Sequence, residues 1–298
     1  MPRRFSFVLS IVVFGTLARS VLADPIIYLS TYIDNKLYKV APDGTKTPFG
    51  PSLPGGGPMA FDTNGFLYTA NYDNGTVYKI APNGTFTTFA TGLHNPYGIT
   101  FDPSGNLYVS NANGGTTITK ITPDGTKSTF ATGLAQPQEL VFDLQGNLFT
   151  ENPFVGTVSK ISPTGVVSTF LSGLNLPHSM TIDSAGFIYV AQYLGAPGVA
   201  SIVKYKPNGD FVSVFAGGLD NTYDLKFGVD GNMYVTTSPG NGNGGRIMQI
   251  TPGGTVSTYL SGLTNPVGLG IVPAPEPASM VLLGAGSLLL LKRRRRAL

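Results

Sequence analysis

The chain has 298 residues, 42% hydrophobic and only 12% charged, with 39 glycines, 23 prolines and no cysteine. That balance excludes a disordered chain, which needs low hydrophobicity and high charge, and it excludes disulfides, thiolate metal sites and a cysteine nucleophile. The formal charge of +3 belongs to the ends: three arginines before residue 20 and five basic residues after residue 291 make up eight of the 19 Lys and Arg, so residues 24–272 carry 11 basic against 15 acidic groups, a net of −4 with one arginine, Arg246, and no basic groove for nucleic acid.

The N-terminus reads Met-Pro-Arg-Arg, then an apolar run from Phe5 to Leu17, then Val21-Leu22-Ala23. A basic start, a short apolar stretch and a small residue before the cut are the parts of an export signal, with cleavage predicted after Ala23. The apolar stretch is too short for a membrane-spanning helix.

Residues 24–272 repeat. Phe61, Phe101, Phe142, Ile182 and Phe227 recur at spacings of 40, 41, 40 and 45 residues. Turn glycines follow at Gly65, Gly105, Gly146, Gly186 and Gly231, then aromatics at Tyr68, Tyr108, Phe149, Tyr189 and Tyr234. Each unit carries four strand signals, a to d. In the clearest unit these are Gly98 to Phe101, Leu107 to Ser110, Ile118 to Ile121 and Lys127 to Phe130. A second turn before strand d recurs as Pro42-Asp-Gly44, Pro82-Asn-Gly84, Pro123-Asp-Gly125, Pro163-Thr-Gly165, Pro207-Asn-Gly209 and Pro252-Gly-Gly254. Pro presets φ at one corner of such a turn, and Gly accepts the positive φ at another. Four short strands in a period near 40 predict the blades of a propeller.

The ends of the array predict its closure. Ile26 to Ser30 aligns with strand b, Leu37 to Val40 with strand c and Thr45 to Phe49 with strand d, but no strand a precedes them. Asn265 to Ile271 aligns with strand a and stops. Joined, the fragments make one blade, so the prediction is an all-β, six-bladed β-propeller of four-stranded antiparallel blades. A mixed N- and C-terminal seam blade closes it and leaves no raw sheet edge.

In such a fold the starts of strand a and the ends of strand b meet at one mouth of the central channel. The strand-a starts are Gly57-Pro58, Tyr97-Gly98, Gln138-Glu139, His178-Ser179, Tyr223-Asp224 and Val267-Gly268. The strand-b ends are Ser30-Thr31, Ala70-Asn71, Ser110-Asn111, Glu151-Asn152, Ala191-Gln192 and Thr236-Thr237. Glu139, Glu151, His178 and Asp224 break the small, neutral pattern on three consecutive blades and are expected to face one pocket. Glu139 and Glu151 are two of only three glutamates, and His178 one of two histidines. Carboxylates with an imidazole suit acid–base catalysis, and Glu139, Glu151 and Asp224 suit a divalent cation, Ca²⁺ or Mg²⁺. They equally suit a polar rim that hydrogen-bonds water and loops. Tyr97, Asn111, Gln138, Asn152 and Tyr223 are the candidate ligand-binding rim. Tyr97 and Tyr223 either stack on a sugar ring or pack between blades. His94, in a connector beside the mouth, reads as an exposed loop residue.

The C-terminus has three ordered parts: Pro275-Glu276-Pro277, an apolar run of 14 residues from Ala278 to Leu291, and Lys292 to Arg296. At 1.5 Å per residue a helix over that run spans about 21 Å, short of the roughly 30 Å hydrocarbon core. This tail resembles the PEP-CTERM sorting signal of Gram-negative bacteria. The resemblance implies an exosortase-type transpeptidase as partner, transient membrane contact through the tail, and delivery to the outer surface or an exopolysaccharide matrix. The expected organisation is therefore 1–23 signal peptide, 24–272 propeller and 273–298 sorting tail.

The repeat pattern Pro-x-Gly-φ-x-Phe-Asp…Gly-Asn-φ-Tyr-Val resembles the NHL and SMP-30/gluconolactonase group of six-bladed propellers, and also streptogramin-lyase-type repeats. A gluconolactonase-like site places acidic and amide ligands just after the Pro of strand a, where this chain has Tyr97, Gln138, His178, Tyr223 and Val267. Phe149-Thr150-Glu151 is similar to the end of strand b in the lyase repeats, and Pro177-His178 to their His-bearing strand a. The expected function is an exported binding or scaffold module for polysaccharide, peptide or protein. The alternative is a metal-assisted hydrolase or lyase working through Glu139, Glu151, His178 and Asp224.

Overall fold

The computed structural model describes residues 25–50, 52, 56–193, 198–240 and 244–273. The leader with its predicted cut after Ala23, and the tail with Pro275, Glu276 and Pro277, lie outside the described residues. Within them stand six four-stranded antiparallel sheets arranged as a ring. Blade 1 is the seam: Pro266–Pro273 is its innermost strand, followed outward by Pro25–Thr31, Lys36–Val40 and Lys46–Pro48. Ile26 pairs with Val272, Tyr28 with Gly270 and Leu29 with Leu269, so the chain ends complete one sheet as the repeat arithmetic predicts. Blades 2 to 6 run in order, with innermost strands Gly56–Phe61, Pro96–Phe101, Leu140–Phe142, Pro177–Ile182 and Asn221–Phe227.

The repeating aromatics bind blade to blade. Tyr108 on strand b of blade 3 lies edge-on between Phe130 of its own strand d, 4.8 Å away, and Phe142 of the next blade's strand a, 5.1 Å away. Tyr68 stands likewise between Phe89 and Phe101, Tyr189 between Phe215 and Phe227, and Tyr28 between Phe49 and Phe61. Edge-to-face pairs add roughly 0.5–1.5 kcal/mol each beyond their burial. These contacts explain why Phe and Tyr are the residues that make the 40-residue period visible.

The turn between strands a and b rests on an aspartate. Asp102 Oδ1 accepts the backbone N–H of Ser104 and of Asn106, both at 2.9 Å, and Gly105 takes φ 81° to close the turn. The other oxygen, Oδ2, accepts the Tyr108 hydroxyl at 3.2 Å. Asp62 and Asp183 repeat the arrangement with Tyr68 and Tyr189. In blade 4 the aromatic is Phe149, so Asp143 keeps only Asn147 and the backbone bonds. These turns line the face opposite the mouth.

Candidate functional site

The channel mouth is shaped by a bulge. In blade 3, Pro96 pairs with Asn111 and Ile99 with Val109, which leaves Tyr97 and Gly98 outside the regular ladder. The same slip recurs at Gly56 to Met59, Pro177 to Ser179 and Thr222 to Asp224. Each bulge aims the first residue of the pair toward the mouth, and at Gly98 and Asp224 it leaves the N–H of the second outside the ladder, where it must find another acceptor. A side chain on strand b supplies it: Ser110 Oγ accepts Gly98 N–H and Thr236 Oγ1 accepts Asp224 N–H, both at 2.9 Å. Glu151 stands in that same slot in blade 4, and its Oε1 accepts Glu139 N–H at 2.9 Å. One carboxylate oxygen of Glu151 thus does the work of a serine hydroxyl.

The bulge-directed residues build a pocket of ≈ 280 Å³. Tyr97, Gln138, His178, Tyr223 and Val267 line it from the strand-a starts, joined by Tyr32, Tyr72 and Phe154 from the b–c loops and by Asn265. The His178 and Tyr223 rings meet edge-on at 5.5 Å. Burial pulls the His178 imidazole below its ordinary value, which keeps it neutral at pH 7. Gln138 Oε1 and Asn265 Oδ1 are buried without a hydrogen-bond partner among the described residues.

One residue further into the channel the chemistry changes. Glu139, Glu151 and Asp224 are 1%, 0% and 0% exposed. Lys226, two residues along the strand from Asp224 and on its side, places Nζ 2.7 Å from Glu139 Oε1 and 3.5 Å from Asp224 Oδ1. Asp224 Oδ2 also accepts Leu269 N–H at 2.7 Å, tying blade 6 to the seam strand. Burial raises all three carboxyls: Glu139 is pushed up to about 7 against the pull of the Lys226 ammonium, Glu151 well above its usual range, and Asp224 upward. Burial alone would lower Lys226, but the charges on Asp224 and Glu139 outweigh it and raise it. Tyr97 senses the same cluster: burial first, then the charges on Glu139, Asp224 and Glu151, hold its hydroxyl ionised only far above the usual range. Below the cluster a second cavity of ≈ 400 Å³ opens, apolar except for Thr100, Thr181 and Lys226.

The structure therefore divides the residues expected to face one pocket. Glu139 and Asp224 converge on Lys226 inside the channel, with Glu151 bonded to the Glu139 backbone beside them. His178 lies in the pocket above them, because the bulge puts the first residue of each pair outward and the second inward. Among the described residues no three His, Asp or Glu side chains are arranged to hold a metal ion, and the Lys226 ammonium takes the place between Glu139 and Asp224 that a cation would need. Two expected rim residues are also corrected. Asn111 and Asn152 are buried loop clamps: Asn111 Nδ2 donates to Thr117 Oγ1 at 2.7 Å and Thr119 Oγ1 at 3.0 Å, and Asn152 Nδ2 to Ser159 Oγ at 2.9 Å. Alternation along strand b turns them toward the b–c loop instead of the mouth. Tyr97, Gln138 and Tyr223 do line the pocket, and His94 is exposed on a separate groove.

Lys226 was invisible in the list of mouth residues, yet its slot carried a signal. Its equivalents in the other blades are Ala60, Thr100, Val141, Thr181 and Gly270, so a lysine there is the exception. Tyr32 and Tyr72, absent from the expected rim, follow the last residue of strand b at equivalent positions, and that recurrence is the signal that points to them.

A larger depression of ≈ 930 Å³ lies on the opposite face, over the a–b turns of blades 3 to 5. Its aspartates, Asp102, Asp143 and Asp183, are engaged in the turn bonds described above, so the mouth pocket is the better candidate.

Ring closure, blade number and strand order define a six-bladed β-propeller. The PEP-CTERM protein-sorting motif matches residues 273–296, so this propeller carries a signal for export and surface sorting in bacteria, one read by exosortase-type machinery. Streptogramin B lyase superposes with a TM-score of 0.61 at 16% identity, over 85% of this chain and 95% of the lyase. A gluconolactonase from Xanthomonas campestris gives 0.65 at 15% identity, over 86% and 94%. A chain of the nidogen/laminin complex gives 0.68 at 16% identity, over 83% and 98%. At these identities the likeness is one of fold. No curated protein matches the sequence.

Proposed function

We propose that the chain is a binding module of the outer surface or extracellular matrix of a Gram-negative bacterium, holding a polysaccharide, peptide or protein ligand at the channel mouth. In this reading the leader is removed after Ala23, residues 24–272 form the working body, and the tail at 273–298 is handled by an exosortase-type enzyme while it contacts the membrane transiently. The observation that carries the binding role is the pocket itself: a concave site walled by Tyr32, Tyr72, Tyr97 and Tyr223, with the buried carbonyl oxygens of Gln138 and Asn265 unpartnered among the described residues. Apolar walls with a few fixed polar atoms are the usual make-up of a ligand site.

The rival is a hydrolase or lyase, favoured by Phe149-Thr150-Glu151 and by the enzymes among the proteins of similar fold. It needs the carboxylates free to reach substrate, with or without Ca²⁺ or Mg²⁺, whereas Lys226 and the Glu139 backbone engage them. The deciding experiment is an array of glycans and peptides probed with the whole chain and with its Tyr97→Ala and Tyr223→Ala variants. Binding that both variants abolish, without turnover of the bound compound, supports the module. Binding that neither variant weakens moves the function away from the mouth.

A further inference from the structure

We propose that the mouth pocket recognises a protonated amino sugar, its ammonium among the tyrosine rings and its hydroxyls on Gln138 and Asn265. The inference rests on the mouth being the ligand site and adds the ligand's charge and class.

Three observations converge. The pocket presents the aromatic rings of Tyr32, Tyr72, Tyr97, Tyr223 and Phe154 beside a neutral His178, with no Lys or Arg in its lining among the described residues. Aromatic faces attract an ammonium, most strongly where water is displaced. Beneath the pocket lie the three buried carboxyls, close enough to Tyr97 that their charges act on its hydroxyl. Glu139 follows the pocket residue Gln138, and Asp224 follows Tyr223, whereas Lys226 lies two residues deeper and opens onto the lower cavity. One ammonium stands against three carboxyls, and Glu139 Oε2 and Glu151 Oε2 are buried with no hydrogen-bond partner among the described residues. A cation above them favours the ionised form of both and is favoured in return.

The third observation selects a sugar over a lysine side chain. Gln138 and Asn265 each offer a buried, unpartnered acceptor, and they come from different blades. A lysine ammonium has donors enough for both acceptors, but its slender chain leaves most of the ≈ 280 Å³ between the aromatic walls unfilled. A six-membered ring with an amine and several hydroxyls satisfies both and fills it.

The test measures equilibrium binding of the full chain to a tetramer of β-1,4-linked glucosamine, to its fully N-acetylated counterpart and to Nα-acetyl-lysine amide, at a pH where the amines are protonated. The glucosamine tetramer should bind about tenfold or more tightly than the acetylated one, the size of a desolvated cation–π contact, and the preference should shrink as salt is added. Tyr223→Phe should keep the preference and Tyr223→Leu should lose most of it, with thermal melting confirming that both are folded. Equal or tighter binding of the acetylated tetramer, abolished by Tyr223→Ala, would overturn the amine and leave the mouth as a glycan site. Lysine amide competing as well as the sugar would overturn the sugar in favour of a protein ligand. If no compound in the set binds in a way that Tyr97→Ala or Tyr223→Ala abolishes, the inference falls. The broader reading is then judged on the array.

Discussion

Replacing Lys226 by methionine probes the buried cluster with little change in packing, because methionine keeps much of the lysine stem. The substitution leaves Glu139 and Asp224 without their ammonium, and breaking a buried pair from one side typically costs about 3–5 kcal/mol. The pH dependence makes the prediction specific. Glu139 has its folded value raised to about 7 by burial, above its ordinary 4.5. The native state therefore binds more protons than the unfolded chain in that window, so wild-type stability is greatest at its acid end and falls as pH rises through it. Without Lys226 the carboxyls must keep their protons to higher pH, and each one so held adds up to about 1.4 kcal/mol per pH unit above its value in the wild-type fold, because the cost below that value is common to both proteins. The deficit of Lys226→Met should be small near about pH 5 and should widen by about 1–3 kcal/mol by about pH 8, roughly 1 kcal/mol of it from Glu139 and the rest from Asp224. Denaturant titrations at both pH values read this directly, and melting should drop by about 2–12 °C at the alkaline end. A deficit of the same size at both pH values, or one under about 1 kcal/mol at the higher, would show that Lys226 is not the countercharge of the cluster.

The remaining predictions address closure, the bulges and the turns. Gly98→Ala puts a Cβ 2.1 Å from Gln138 O and 2.8 Å from Glu139 Cα, so blades 3 and 4 must separate; a loss of about 3 kcal/mol or more in chemical denaturation is expected, and a neutral result would mean the mouth is looser than described. Leu269→Ala removes a fully buried seam side chain and should cost about 2–5 kcal/mol, while deleting residues 264–272 should open the ring and cause aggregation; a soluble, cooperatively melting truncation would contradict the closure. Tyr108→Phe should cost only about 1 kcal/mol, because Asn106 Nδ2 still bonds Asp102 at 2.8 Å, as Asn147 does for Asp143 beside the natural Phe149.

Most of the fold was legible because its signals are local and repeated. Phe101 and Tyr108 recur in register since each occupies the same inter-blade slot, Gly105 recurs because the turn between them needs a positive φ, and the missing strand a before Ile26 forecast the seam. The site was legible only in part. A list of strand ends places residues at the mouth but does not say which way a bulged pair points, and that single slip separates His178 from Glu139 and Asp224. Asn111 and Asn152 look like rim residues for the same reason: their position is right and their direction is not. Lys226 was missed because it lies two residues below the mouth, where only the bulge and the strand alternation together bring it to the carboxylates.

The seam fixes the side from which the chain leaves the propeller. Thr31 and Pro266 meet at the mouth end of blade 1, and Pro25 and Pro273 pair at the other end. The chain thus departs toward its sorting motif from the side away from the tyrosines. A molecule tethered by that tail would turn its back to the point of attachment and hold the open bowl outward, so that neighbours diffusing past the cell meet the aromatic walls without passing underneath.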